Sequence, residues 1–187
     1  MTDNAQHIIV WEGLTARSIE CLAWQVHGEA IAFNGHLTGV SADLPFAINY
    51  SVKTDLQWIT KQVTVNDLLH PGNSIDLKAD GKGKWLRNDE NFSNADGCLD
   101  IDLSFSAFTN TLPIKRINWN AGTAHHIQVL YIDIPDIKVS RTEQFYECLG
   151  ENNFLFKATT AFQAEIKVDA NGMVEHYPGI AKRIFPK

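Results

Sequence analysis

The chain has no CxxC pair, no phosphate-cradling glycine loop, no nucleophile elbow and no zinc-ligand spacing. Those absences leave no motif-level case for redox, nucleotide, esterase or zinc chemistry. Positive charge is scarce too. Lys and Arg total 16 against 22 Asp and Glu, a net charge of −6. Nucleic acids and anionic bilayers are gripped by basic faces, so neither is an expected partner. Lys115, Arg116, Lys182 and Arg183 are the best candidates for a local basic patch. Cysteine is limited to Cys21, Cys98 and Cys148, scattered and odd in number. They read as buried reduced thiols of a cytoplasmic protein. No apolar run reaches membrane-spanning length, so no integral membrane segment is expected. The opening "MTDNAQHIIVWEGL" shows no basic start, apolar core or small-residue cleavage site, and so reads as no signal peptide. Among the seven histidines, His125 and His126 would diverge on a strand. His7, His27, His36, His70 and His176 stand alone. No metal, cofactor or catalytic residue is predicted from them.

What is abundant is alternation. "PFAINYSV" puts Phe46, Ile48, Tyr50 and Val52 on one strand face, and "CLDIDLSF" sets Leu99, Ile101, Leu103 and Phe105 against Asp100, Asp102 and Ser104. "LQWITKQVTV", "HHIQVLYIDI" and "FQAEIKVD" continue the period of two, as half-buried strands do. Turn signals separate them: "VHGEA", "FNGHL", "HPGNS", "ADGKGK", "NADG", "NAG" and, clearest as a hairpin, "VDANGMV". Helical signals are few. "TVNDLLHPG" admits one turn, and "FTNTLPIKR" another, with Thr109 or Asn110 as cap and Pro113 in the first turn. "RTEQFYECL" follows "IKVS" without a break and reads as strand.

The 187 residues therefore read as one all-β domain, residues 1–187, of about a dozen antiparallel strands with at most one or two helical turns. So many strands expose edges unless the sheet curves strongly or closes, and a closed barrel is the expected form. A barrel wider than about eight strands encloses more space than side chains fill, and such space can hold a ligand.

"CLDIDLSFSAFTNTLPIKRI" resembles the hallmark block of the bacterial "putative glycolipid-binding" family, long classed as a domain of unknown function. An aspartate-bearing strand leads into Thr-Asn-Thr-Leu-Pro-Ile and one or two cations. "INYSVKTDLQWITKQVTV", "DGKGKW", "VLYIDIPDIKVSRTEQFYECL" and "FQAEIKVDANGMVEHYPGIAKRI" resemble further parts of it, so that the likeness runs from Trp11 to Arg183. "SAF" stands where the family more often has Thr-Pro-Phe, which implies a less rigid loop entry here. The resemblance implies a fold similar to lipoprotein-carrier barrels, a curved sheet around an apolar cavity, and a glycolipid-like ligand. Fold likeness alone is a poor guide to function.

Each candidate residue has a structural and a functional reading. Asp100 and Asp102 share a strand face. If that face lines the cavity, one can pair with Arg116 and leave the other available, and paired carboxylates with split pKa values serve acid–base chemistry. The plainer reading, solvent exposure of both or Asp102 anchoring Arg116, ranks ahead of it. Thr109, Asn110 and Thr111 either satisfy turn amides or bond a polar headgroup. Lys115 and Arg116 are expected to resume a strand and point opposite ways. Arg116, the better fork for carboxylate or phosphate, is expected inside. Tyr50, Trp58, Trp85 and Tyr131 offer aromatic walls for an amphiphile or sugar, or simply core. Tyr177, before Pro178, is a terminal latch or a cavity hydroxyl. The ligand-binding set is thus Asp100, Asp102, Thr109, Asn110, Arg116, Tyr50, Trp58 and Tyr177. The leading function is non-catalytic binding of an amphiphilic small molecule. An interaction scaffold ranks second, and an acid–base enzyme or hydrolase using Asp100 or Asp102 with Arg116 ranks third. The sequence leaves the oligomeric state open.

Overall fold

A computed structural model describes residues 5–186. Fifteen strands follow in chain order: β1 (His7–Gly13), β2 (Arg17–His27), β3 (Ala30–Ser41), β4 (Leu44–Asp55), β5 (Thr60–Asp67), β6 (Ser74–Ala79), β7 (Trp85–Arg87) and β8 (Glu90–Asn91), then β9 (Asp100–Leu103), β10 (Ala124–Asp133), β11 (Lys138–Gly150), β12 (Asn153–Ala158), β13 (Gln163–Val168), β14 (Val174–Tyr177) and β15 (Ala181–Phe185). Between β9 and β10 lie a 3-10 turn, Phe108–Asn110, and one short helix, α1 (Thr111–Arg116).

Alternation places the strands as expected. Phe46, Ile48, Tyr50 and Val52 are all buried on one face of β4. "RTEQFYECL" lies within β11, and "VDANGMV" is the β13–β14 hairpin. The Asp169 carboxylate shapes that hairpin by accepting from the amides of Asn171 and Met173. Two-residue hairpins at Ala42–Asp43, Asn88–Asp89 and Glu151–Asn152 have positive φ at both central residues, which suits the strand twist. Two local expectations are corrected. "FNGHL" is no turn: Asn34, Gly35 and His36 run straight through β3. The glycine is needed because the Tyr50 ring lies across it. A Cβ on Gly35 would come within 2.0 Å of that ring. "TVNDLLHPG" forms no helix. The Asp67 carboxylate takes the amides of Leu69 and His70 and fixes a turn instead.

All fifteen strands form one sheet, in the order β8-β7-β6-β5-β4-β3-β2-β1-β15-β14-β13-β12-β11-β10-β9. The expected closed barrel is not what forms: no ladder joins β8 to β9. Every pairing is antiparallel except β9 with β10, which is parallel. The two ends touch through a turn-to-turn bond and one strand side chain. Gly97 N donates to Gly83 O at 2.9 Å, and the Trp85 indole N–H donates to Cys98 O at 2.9 Å. The reason for non-closure is visible in β9. Asp100 and, on the opposite face, Ile101 and Leu103 are all buried. A wall strand of a barrel would show one face to water. This end of the sheet is enclosed within the curve, so its edge never meets β8.

Residues 107–114 are buried without interruption. They form a plug inside the sheet, seated on the concave face of β2–β4. The Phe108 ring lies 4.6 Å from that of Phe33 and is stacked on Tyr50 at 6.1 Å. Lys115 and Arg116 close α1 rather than resuming a strand, which corrects that expectation.

Candidate functional site

The hallmark segment is held at three points, each by a buried polar group. At its start, Glu20 of β2 is 2% exposed and accepts three hydrogen bonds. Its carboxylate takes the Tyr50 hydroxyl at 2.5 Å, the Ser106 hydroxyl at 2.6 Å and the Ala107 amide at 2.9 Å. Burial pushes the Glu20 carboxyl up from the usual range, against the opposing pull of those bonds. In the middle, Asn110 Oδ1 accepts from the Tyr146 hydroxyl at 2.8 Å. At its end, Arg116 forks onto Asp100, with Nε to Oδ1 at 3.0 Å and Nη2 to Oδ2 at 2.5 Å. Burial raises the Asp100 carboxyl, with Arg116 opposing.

Asp102 is employed differently. Oδ1 accepts from Thr109 Oγ1 at 3.0 Å and Oδ2 from Gln144 Nε2 at 2.6 Å, with no cation bonded to it. Burial raises its carboxyl as well. Asp102 lines a pocket of about 470 Å³ over the concave face of β10–β12. Phe105, Phe156, Phe162 and Ile180 supply apolar walls, and Gln144, Tyr131 and Tyr177 bring polar ends beside Asp102. Phe156, Phe162 and Tyr177 meet edge-on or tilted at about 6 Å, so the aromatic wall is braced by its own contacts. The Tyr177 hydroxyl is driven well above its usual range, first by burial and then by the charge of Asp102. Phe105 has φ +65° in the turn closed by Ser106 N donating to Leu103 O. Glycine is the residue that such a left-handed position favours. The phenylalanine there stacks on Phe46 at 5.6 Å and faces the pocket.

Of the eight residues singled out by sequence, Asp102 and Tyr177 line the pocket. Asp100, Thr109, Asn110 and Arg116 belong to the lock on the plug, with Thr109 linking the lock to Asp102. Tyr50 lies beneath the plug on Glu20. Trp58 stands apart, near Trp24 and Phe33, with Lys115 Nζ 5.5 Å from its ring. Trp85 is core. Sequence reasoning missed Glu20, Gln144 and Tyr146. The one available signal for Glu20 was a charged residue on the same strand face as Leu22 and Trp24. No helix among the described residues is long and apolar enough to cross a membrane, and no group of three or more His, Cys, Asp or Glu among them is placed to hold a metal.

The family described as "Putative glycolipid-binding" matches residues 8–183. Among solved structures, the chain is similar to a crystal structure of a DUF1089-family protein from Pseudomonas aeruginosa. The two share 30% identity over 89% of this chain and 92% of that one, with a TM-score of 0.80. No curated protein matches. With the family match spanning nearly every strand, and a solved DUF1089 relative sharing the fold, the chain belongs to the "Putative glycolipid-binding" family.

Proposed function

We propose that the pocket beside Asp102 binds one amphiphilic molecule with a hydroxyl-bearing head, and performs no chemistry on it. The observation that carries this reading is the lining itself. Three aromatic rings and Ile180 form apolar walls, beside the Asp102 carboxylate, the Gln144 amide and the phenols of Tyr131 and Tyr177, with Asp133, Arg141 and Glu143 also in the lining. Sugar-type hydroxyls both donate and accept, so they suit a carboxylate and an amide side by side. The volume lies in the range of ligand pockets, about 300–1,000 Å³. At ~30 Å³ per water, it has room for about fifteen non-hydrogen atoms. One sugar ring with the start of a chain suits that room; a whole two-chain glycolipid does not. Asp100 is fully buried and committed to Arg116, which leaves Asp102 as the hallmark-strand carboxylate in the pocket.

Titration calorimetry with octyl glucoside, kept below its micelle-forming concentration, tests the reading. Saturable one-to-one binding is expected, with the glucoside recovered intact. Phe105→Gly suits φ +65° and deletes a pocket wall. Relief of about 1–3 kcal/mol of backbone strain offsets lost packing, so the variant should stay folded while affinity falls at least tenfold. No saturable binding by the native protein, or equal binding by Phe105→Gly, would overturn the proposal.

A further inference from the structure

Alternation decides which charges look into the pocket. Asp102 is paired with Tyr131 across β9–β10, and Tyr131 with Ser140 across β10–β11. Directly paired residues share a sheet face, and every second residue along a strand returns to it. Asp102, Tyr131, Asp133, Ser140, Thr142 and Gln144 therefore lie on one face, and all of them line the pocket. Arg141 and Glu143 also belong to the lining, but they fall on the other face of β11. The Arg141 guanidinium is drawn aside, with Nη1 donating to the carbonyl of Asp96 at 3.2 Å. Lys138 shares the face of Asp133, its direct partner on β11, yet its Nζ is held by Asp136 at 2.5 Å. The pocket face thus presents two carboxylates, and among the described residues no cation is bonded to either.

β9 carries two carboxylates with different company. Asp100 has a resident cation in Arg116. Asp102 has only neutral donors, Thr109 and Gln144, each taking one acceptor site. A carboxylate offers about four such sites, so Asp102 keeps capacity for a ligand. Withdrawing a charge from water is offset best by an opposite charge. The neighbouring rings add to that attraction, because aromatic faces draw cations as well as apolar chains. Phe105, Tyr131, Phe156, Phe162 and Tyr177 all line the same opening. We infer that the hydroxyl-bearing head of the ligand also carries a protonated amine, as an amino sugar does, and that Asp102 holds the ammonium with Asp133 adding to the attraction. The inference deepens the amphiphile reading of the pocket and rests on it.

Titration calorimetry at about pH 7, below the ordinary range of a free amine, tests the inference with three amphiphiles that share one tail. They are octyl glucoside, octyl glucosaminide and its N-acetyl form, which keeps the nitrogen but not the charge. The native protein should bind the glucosaminide at least tenfold more tightly than octyl glucoside, and N-acetylation should remove the gain. Asp102→Asn should abolish the preference, weakening the glucosaminide far more than octyl glucoside. Asp133→Asn, which breaks no hydrogen bond of the described residues, should narrow the preference by a smaller factor. Saturable octyl glucoside binding by both variants reports an intact fold. A glucosaminide bound no better than octyl glucoside, or a preference undiminished in both variants, would overturn the inference and leave the pocket reading standing. Failure of all three amphiphiles to bind the native protein would overturn the pocket reading and the inference with it.

Discussion

The two arms of the sheet use their concave faces differently. On β2–β4, Phe33 and Tyr50 rest against Phe108, and Glu20 holds the entry to the plug. On β10–β14, Phe156 and Tyr177 look into an opening of about 470 Å³. One curved sheet thus has a filled arm and a vacant arm, and a single short segment decides which is which. A sheet too wide for its own side chains need not stay hollow. Residues 107–114 fill one part, and the pocket beside Asp102 lies where they do not reach.

Ring deletion should break this comparison most sharply. Phe108→Ala removes a fully buried ring from the filled arm and should cost about 3–5 kcal/mol. Phe162→Ala removes a half-buried pocket wall and should cost about 1 kcal/mol, yet weaken octyl glucoside binding. Urea unfolding of the two variants checks the contrast, and equal losses would erase the distinction between the arms. Next in size is the lock. Arg116→Ala strands the buried Asp100 carboxylate and should cost about 3 kcal/mol, the low end because the guanidinium keeps some contact with water. Asp100→Leu/Arg116→Met should recover most of that, since replacing both members of a buried pair is often neutral. A double variant no better than Arg116→Ala would show that the pair does more than satisfy itself.

The smallest effect concerns Glu20. Its carboxyl is raised in the folded state, so its contribution to stability is full below the unfolded value of about 4.3 and is lost as pH rises through the folded value. An amide at this position can accept from Ala107 and donate to the two hydroxyls, so Glu20→Gln should change stability by about 1 kcal/mol or less at pH 5. Between pH 5 and 8 the variant should gain on the native protein. Parallel pH profiles for the two would mean that the carboxylate is not held against its preference.

The strands were legible because burial alternates along them, and "TNTLP" singled out the segment that became the plug. Arg116 was rightly paired with an aspartate, though from a helix rather than a strand. Closure was misjudged because alternation says which face a strand buries, not whether both faces are buried, as in β9. Glu20 and Gln144 escaped notice because their partners lie 86 and 42 residues away, and no local pattern announces such contacts. Phe105 was placed on an apolar strand face, yet nothing in "LSFSA" signals a left-handed turn.

On the proposed reading, the plug confines ligand to the β10–β14 arm. Side-chain NMR of the protein titrated with octyl glucoside tests it most directly. Shifts are expected at Phe105, Phe156, Phe162 and Tyr177, with Phe33, Tyr50 and Phe108 unmoved. Perturbation centred on Phe33, Tyr50 and Phe108, with the pocket rings silent, would contradict it.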